Sequence, residues 1–153
     1  TCVHNMSLNE IDSELLAQLS KNGKASQRML AKETGAALGT VNAHVKRLEN
    51  RKIIKGYFAC IDPEKVGFKL TAIINLRIKK GTLIDVQASI AKHSRVFGVY
   101  DVTGEWDSLI LARFKDREEM DKFIKTPLSQ KHIERTSTSL VLNTVKEEPR
   151  VML

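Results

Sequence analysis

Residues 26–56, SQRMLAKETGAALGTVNAHVKRLENRKIIKG, constrain this chain more than any other stretch, because two short helical periods meet at a glycine and the second ends in a basic run. Ser26 is placed to accept from the unpaired N–H groups that open a helix, and Met29 and Leu30 supply its inward face. Gly35 can take the positive φ that a tight turn demands. A further helix is predicted over 38–50, with Val41, Val45 and Leu48 as its buried stripe. At about 100° per residue that stripe turns Gly39, Asn42, Ala43, Lys46 and Arg47 outward and leaves Thr40 and His44 on the flanks. Upstream, Asn9 with Asp12 three residues on marks another helix start. Its apolar face is Ile11, Leu15, Leu16 and Leu19, and Asn22-Gly23 stops it. Three helices joined in this way read as a helix-turn-helix.

The outward face carries chemistry suited to double-stranded DNA. Lys46 and Arg47 can neutralise phosphates, Arg47 can pair bidentately with guanine, and Asn42 has the donor and acceptor pair that matches adenine. Gly39 and Thr40 let the backbone approach closely. Ser26, Ala43, His44 and Arg51 complete the expected contact set, His44 as a flank residue more than a base reader. Across positions 44–55, Lys46, Arg47, Arg51, Lys52 and Lys55 face only Glu49, so more than half of the formal charge of +7 sits on this segment. A solvated helix face carries charges of this kind too; the glycine turn and the two capped helices upstream tip the reading toward DNA. One local rule is broken. Ala37 stands where an N-cap Ser, Thr or Asp is expected and Gly39 falls in the first turn, each weakening the helix start by about 0.5 to 1 kcal/mol. The third helix is therefore expected to fray until DNA engages it.

Beyond Asn50, the β-branched and aromatic run 52–61 reads as a strand that ends at Asp62-Pro63. A lone strand is unstable, so it is expected to pair, with a partner subunit as the candidate. From Phe68 the period changes to two. Leu70, Ala72, Ile74, Leu76 and Ile78 alternate with Thr71, Ile73, Asn75, Arg77 and Lys79 as a half-buried strand. A helix over 83–93 buries Leu83, Val86 and Ile90; strands over 96–102 and 108–114 flank the loop Thr103-Gly104-Glu105-Trp106-Asp107. A helix over 117–124 buries Met120, Phe123 and Ile124 before Pro127, and a last strand runs over 134–146. The fold class is thus α+β: a helix-turn-helix over 1–56, a hinge strand and linker over 57–67, and a βαββαβ ferredoxin-like domain over 68–153. That order puts both helices on one sheet face, and a second copy of the sheet is expected to cover the other, making a symmetric homodimer.

Four segments together, LNEIDSELL, VKRLENRKIIKGY, IDPEKVGF and TGEWDSLI, resemble the Lrp/AsnC family, the leucine-responsive and asparagine-synthesis regulators also called feast/famine regulatory proteins. The resemblance runs from Leu8 to about Val145 and departs at Ala36-Ala37, where a hydrophobic-serine pair is common. It implies a DNA-binding N-terminal domain and a C-terminal domain that forms dimers, often octamers, and senses amino acids. Carried over by position, Gly104 and Asp107 match the glycine and acidic residue of a loop at the effector site between subunits, and Arg135, Thr136, Ser137 and Thr138 resemble a segment that lines it. The implied effector-binding set is Thr103, Gly104, Glu105, Trp106, Asp107, Thr136, Ser137 and Thr138. Their chemistry fits an amino acid: Glu105 or Asp107 for the ammonium, loop N–H groups for the carboxylate, and the strand hydroxyls. The same residues also make an ordinary hairpin turn, with threonines that favour strands in any case.

No cofactor, metal or catalytic activity is indicated. His4, His44, His93 and His132 lack metal-ligand spacing, Cys2 and Cys60 have no CxxC partner, and no phosphate-binding glycine loop occurs. No apolar run approaches the roughly 18 residues needed to span a bilayer, and the opening TCVHNMS lacks a signal-peptide core, so a cytoplasmic protein without membrane contact is expected. The leading expectation is a sequence-specific regulator responsive to an amino acid. The alternatives are an architectural protein that wraps DNA with little effector response, and an amino-acid-binding regulatory subunit that does not bind DNA.

Overall fold

The computed structural model describes residues 8–126, 128 and 131–151; Cys2, His4 and Pro127 lie outside them. The chain divides into two compact units, among the described residues 8–60 with 147–151, and 61–146.

The first unit is built from α1 (Glu10–Lys21), α2 (Gln27–Thr34) and α3 (Leu38–Asn50). Each start follows from its capping chemistry. Asn9 and Asp12 form a reciprocal capping box on α1, and Ser26 Oγ accepts from the Met29 N–H on α2. Ala37, at the N-cap of α3, makes no such bond. Gly35 closes α2 at φ 68°, in the left-handed region. Leu15, Leu30, Val41, Val45 and Leu48 are buried. Met29, expected inside, is 51% exposed, because Leu30 alone of the pair points along the α2 face that meets α1 and α3.

Residues 52–61 form no strand within this chain, and the hydrogen bonds at the end of α3 explain why. The Lys52 N–H donates to the Glu49 carbonyl at 2.9 Å and the Ile53 N–H to the Leu48 carbonyl at 3.0 Å, a Schellman closure with Lys52 at φ 57° in the position glycine usually holds. Ile54 also donates to Leu48 and packs against the helical core. The two isoleucines therefore finish the helix. Tyr57, Phe58 and Ile61 follow with large exposure and no ladder partner among the described residues.

The second unit runs β1 (Leu70–Ile78), α4 (Leu83–Ala91), β2 (Val96–Asp101), β3 (Ser108–Phe114), α5 (Arg117–Lys125) and β4 (Ile133–Leu140). Its sheet is antiparallel throughout in the order β2-β3-β1-β4. Ala72, Ile74, Leu76, Ile110, Ala112 and Phe114 form one buried cluster with Val86 and Ile90 of α4 and Met120 and Phe123 of α5, so both helices cover the same face. Leu83 and Ile124 pack at its margin. Ser108 is fully buried, and its hydroxyl donates to the Tyr100 carbonyl and accepts from Gln87, which ties α4 to the β2–β3 hairpin. The opposite face carries Ile73, Asn75, Leu109 and Leu111, half-buried, with Tyr100 exposed beside Leu109 and Arg113 stacked 3.9 Å over the Phe97 ring.

β4 stops at Leu140, short of the expected 146. Its partner supplies the reason: Leu140 pairs with Ala72 and Val141 donates to the Thr71 carbonyl, so further residues would overhang the start of β1. Leu142 and Val145 are almost fully exposed. Among the described residues no helix is long and apolar enough to cross a membrane.

Two substitutions at left-handed positions should move the stability of the first unit in opposite directions. Lys52→Gly relieves a strained αL lysine and is expected to add about 1 kcal/mol, whereas Gly35→Ala introduces the same strain and should remove about 1 kcal/mol. Thermal denaturation followed by circular dichroism reads both, and equal shifts of the same sign would sink the account.

Candidate functional sites: the exposed face of α3 and a loop cleft

On α3, burial of Val41, Val45 and Leu48 leaves Gly39, Thr40, Asn42, Ala43 and Lys46 exposed, as the helical period requires. The deciding feature lies beneath them. Asp12 is only 1% exposed, and besides its capping bonds to Asn9 it takes two side chains from α3. His44 Nδ1 lies 2.9 Å from Asp12 Oδ1, and Arg47 Nη2 donates to Oδ1 at 2.8 Å and Oδ2 at 2.7 Å. Arg47 Nη2 is also 3.1 Å from His44 Nδ1. Arg47 thus leaves the helix on its exposed side, but its guanidinium lies back on α1 instead of reaching outward. The reason is electrostatic: a buried carboxylate must be paired, and Arg47 is the cation within reach. Burial works to raise the Asp12 carboxyl pKa, and hydrogen bonds from Arg47, His44 and Asn9 outweigh it, so the pKa falls below the ordinary 3.8.

The remaining expected contacts sit at the helix ends. Ser26 is exposed but spends its hydroxyl on capping α2. Arg51 caps the C-terminus of α3, and its Nε and Nη2 are shielded from solvent without a hydrogen-bond partner. Across the same turn, the Tyr57 hydroxyl donates to Glu49 at 3.0 Å.

In the second unit the loop after β2 frames an open cleft of about 270 Å³ lined by Arg77, Gly104, Glu105, Trp106 and Arg135. Gly104 adopts φ 115°, which favours glycine there. Asp107 roots the loop: its Oδ2 accepts the Ile78 N–H at 2.8 Å, its own N–H donates to the Leu76 carbonyl at 2.9 Å, and its Oδ1 lies 3.5 Å from Arg77. Arg77 Nη1 donates to the Glu105 carbonyl. Arg135 approaches Glu105 Oε1 at 3.4 Å and stands 5.1 Å over the Trp106 ring. Of the expected effector residues, Gly104, Glu105 and Trp106 line the cleft. Thr103 and Asp107 flank the lining, and Thr136, Ser137 and Thr138 lie on β4 opposite Leu76, Asn75 and Ile74, outside it.

Comparison with known proteins follows this division. Residues 8–55 match the model of a winged helix-turn-helix DNA-binding domain and residues 71–151 the model of the Lrp/AsnC ligand binding domain. The chain belongs to the Lrp/AsnC family of transcriptional regulators. An uncharacterized HTH-type transcriptional regulator of Pyrococcus abyssi is 39% identical over 144 residues, 94% of this chain and 98% of that one. The regulator FL11 of the same organism is 34% identical, covering 93% of this chain and 94% of its own. Among solved structures, a transcriptional regulator from Neisseria meningitidis in complex with L-Met superposes with a TM-score of 0.87 at 28% identity, over 95% of this chain and 96% of that one. LrpA of Mycobacterium tuberculosis superposes at 0.86 and 26%, over 95% and 100%. The fold and its class are those of a DNA-binding Lrp/AsnC regulator with a ligand-binding domain.

Asp12 and Arg77 were absent from the expected site. Asp12 read as a capping acid, which it is, but its second set of partners lies more than thirty residues away and leaves no local trace. Arg77 read as an outward strand residue of the sheet; only the register between β1 and the loop brings it into the cleft.

The lowered Asp12 pKa fixes the sign of a pH effect. Its stabilisation is fully present above the unfolded value near 3.8 and is lost as pH falls through the lower folded value. Asp12→Asn should therefore be destabilised relative to the unsubstituted chain by about 2 to 3 kcal/mol at pH 7, the worth of its charge-assisted hydrogen bonds, and the gap should close below pH 4. Urea denaturation at the two pH values measures it; a gap that stays constant with pH would refute the pairing.

Proposed function

We propose that this regulator reads duplex DNA through the exposed face of α3, with Asn42 and Ala43 toward base edges, Lys46 on phosphate, and Gly39 and Thr40 at close backbone approach, while Arg47 and His44 hold the helix on α1. The observation that carries the reading is the combination of that polar, basic face with a carboxylate that fixes its orientation. Ser26 and Arg51, at the ends of the motif, extend the contact set to the flanking backbone.

The working unit is a homodimer that can assemble further, to an octamer, in the cytoplasm. Two features support self-association: the sheet face bearing Ile73, Leu109, Leu111, Phe97 and Tyr100, on which no element lies among the residues described in this unit, and the exposed 55–61 segment, which needs a ladder partner to act as a strand. The effector is an amino acid held at the 103–107 loop, with Thr136, Ser137 and Thr138 on the adjoining strand and a second subunit closing the site. The L-Met complex of the Neisseria relative supports an amino acid of some kind. No enzymatic role is needed by this reading, and no cofactor beyond the effector enters it.

Two substitutions separate positioning from reading. Lys46→Ala should weaken binding about equally on all sequences and reduce the salt slope by about one, whereas Asn42→Ala should cost about 1 to 3 kcal/mol on the operator alone. Neither should change the melting temperature. Fluorescence anisotropy across a salt series, with footprinting to find half-sites about 34 Å apart or a multiple of it, gives the answer. Wild-type affinity and slope in both variants would mean that α3 does not face the groove.

A further inference from the structure

We propose that Arg47 is a bridge, one amine of its guanidinium held on the buried Asp12 carboxylate and the other donating to a single phosphate of duplex DNA. The inference rests on the reading of α3 as the helix that meets DNA, and it adds a backbone contact at the border of that face.

The geometry at Asp12 carries the argument. Arg47 meets both carboxylate oxygens through one nitrogen, Nη2, at 2.8 and 2.7 Å, instead of through the two-nitrogen fork that a guanidinium can present. Among the described residues all of its hydrogen bonds run through Nη2, which leaves the donors of Nη1 and Nε to spare. The Arg47 side chain is 44% exposed, while Asp12 beneath it is shut off from water. A guanidinium anchored from behind keeps its remaining donors in a set direction, so little side-chain freedom is lost when an acceptor arrives.

That acceptor is a phosphate oxygen and not a base edge. A guanidinium makes paired contacts along two edges, end-on through Nη1 and Nη2 and side-on through Nε and Nη2. Both edges include the nitrogen already spent on Asp12, so the two-point contact that identifies guanine is not on offer. A single donor positions the protein on the backbone and carries no sequence information. The place of Arg47 on the helix agrees. Asn42, Ala43, Lys46 and Arg47 are exposed, whereas His44 is half-buried against Asp12 of α1. Arg47, three residues beyond His44, therefore stands on the border of the exposed face nearest α1. Phosphates line the rims of a groove that a helix enters, and the border of the helix is the part that meets them.

The test uses Arg47→Lys in the full chain. Lysine keeps the charge and can meet Asp12 with its one nitrogen, but it has no second nitrogen for the DNA. Thermal denaturation checks that the melting temperature is kept, and fluorescence anisotropy measures affinity for a footprinted operator duplex and for a random duplex of equal length. The expected result is a loss of about tenfold on both, the worth of one charge-assisted hydrogen bond, with their ratio unchanged. Operator duplexes carrying one uncharged methylphosphonate linkage at a time then locate the contact: at one position in each half-site the replacement weakens binding by the unsubstituted chain and leaves Arg47→Lys unaffected. If Arg47→Lys melts early, the double variant Asp12→Asn/Arg47→Gln, which removes the buried charge together with its partner, replaces it in the same cycle. A loss confined to the operator overturns the phosphate assignment. Undiminished affinity in a stable variant, or no linkage whose replacement is coupled to position 47, overturns the bridge. Lys46→Ala keeps the two failures apart: if it weakens binding while position 47 is silent, only the bridge falls, and if both are silent, the reading of α3 falls with it.

Discussion

A single buried carboxylate sets the orientation of α3, the helix proposed to face DNA. Asp12 lies on the first turn of α1, where its capping role would hold it at the surface in an isolated helix. Packing by Leu15, Val41 and Val45 brings α3 across it and excludes water. An ionised group left in such a place costs several kcal/mol unless it is paired, so His44 and Arg47 are drawn onto it. Hydrophobic contacts alone would tolerate a small rotation of α3 about its axis. The charge-assisted contact of Arg47 Nη2 with both Asp12 oxygens, with His44 beside it, restricts that freedom, as the proposed matching to base edges requires.

The second unit solves a different problem with a one-sided pattern. Alternation along β1 and β3 gives one face to Val86, Ile90, Met120 and Phe123 and leaves the other with Ile73, Leu109 and Leu111 only half-buried. β4 is an edge strand with polar residues on both faces, and it carries Arg135 to the cleft. Asp107 then links that cleft to β1, its N–H donating to the Leu76 carbonyl and its carboxylate accepting the Ile78 N–H.

Most of the architecture was legible in the sequence because it depends on local rules. Asn9, Ser26 and Gly35 cap where their chemistry says they should, and the periods of α3 and β1 place the buried residues correctly. The misreadings share a cause in competing hydrogen bonds or register. Ile53 and Ile54 have strand composition, yet their N–H groups are claimed by the Leu48 carbonyl, which no propensity scale encodes. β4 has strand composition to 146 but runs out of partner at Leu140. In the candidate sites, the exposed residues of α3 were visible from periodicity, whereas the inward turn of Arg47 and the arrival of Arg77 depend on contacts about thirty residues apart.

The two ends of α3 are therefore held unequally. Its middle and C-terminal half are fixed by Asp12, by Leu48 and by the closure at Lys52 and Ile53. Its N-terminal turn has Ala37 at the cap and Gly39 within it, so the opening N–H groups are offered no side-chain acceptor from that cap. Those groups, at the positive end of the helix dipole, form the kind of site that a backbone phosphate occupies. A Ser at position 37 would stabilise the free protein by about 1 kcal/mol and at the same time compete with the phosphate for the same donors. On the proposed DNA-binding role, the uncapped alanine leaves those donors available to the nucleic acid at some cost in helix stability, while Asp12 holds the rest of the helix against rotation.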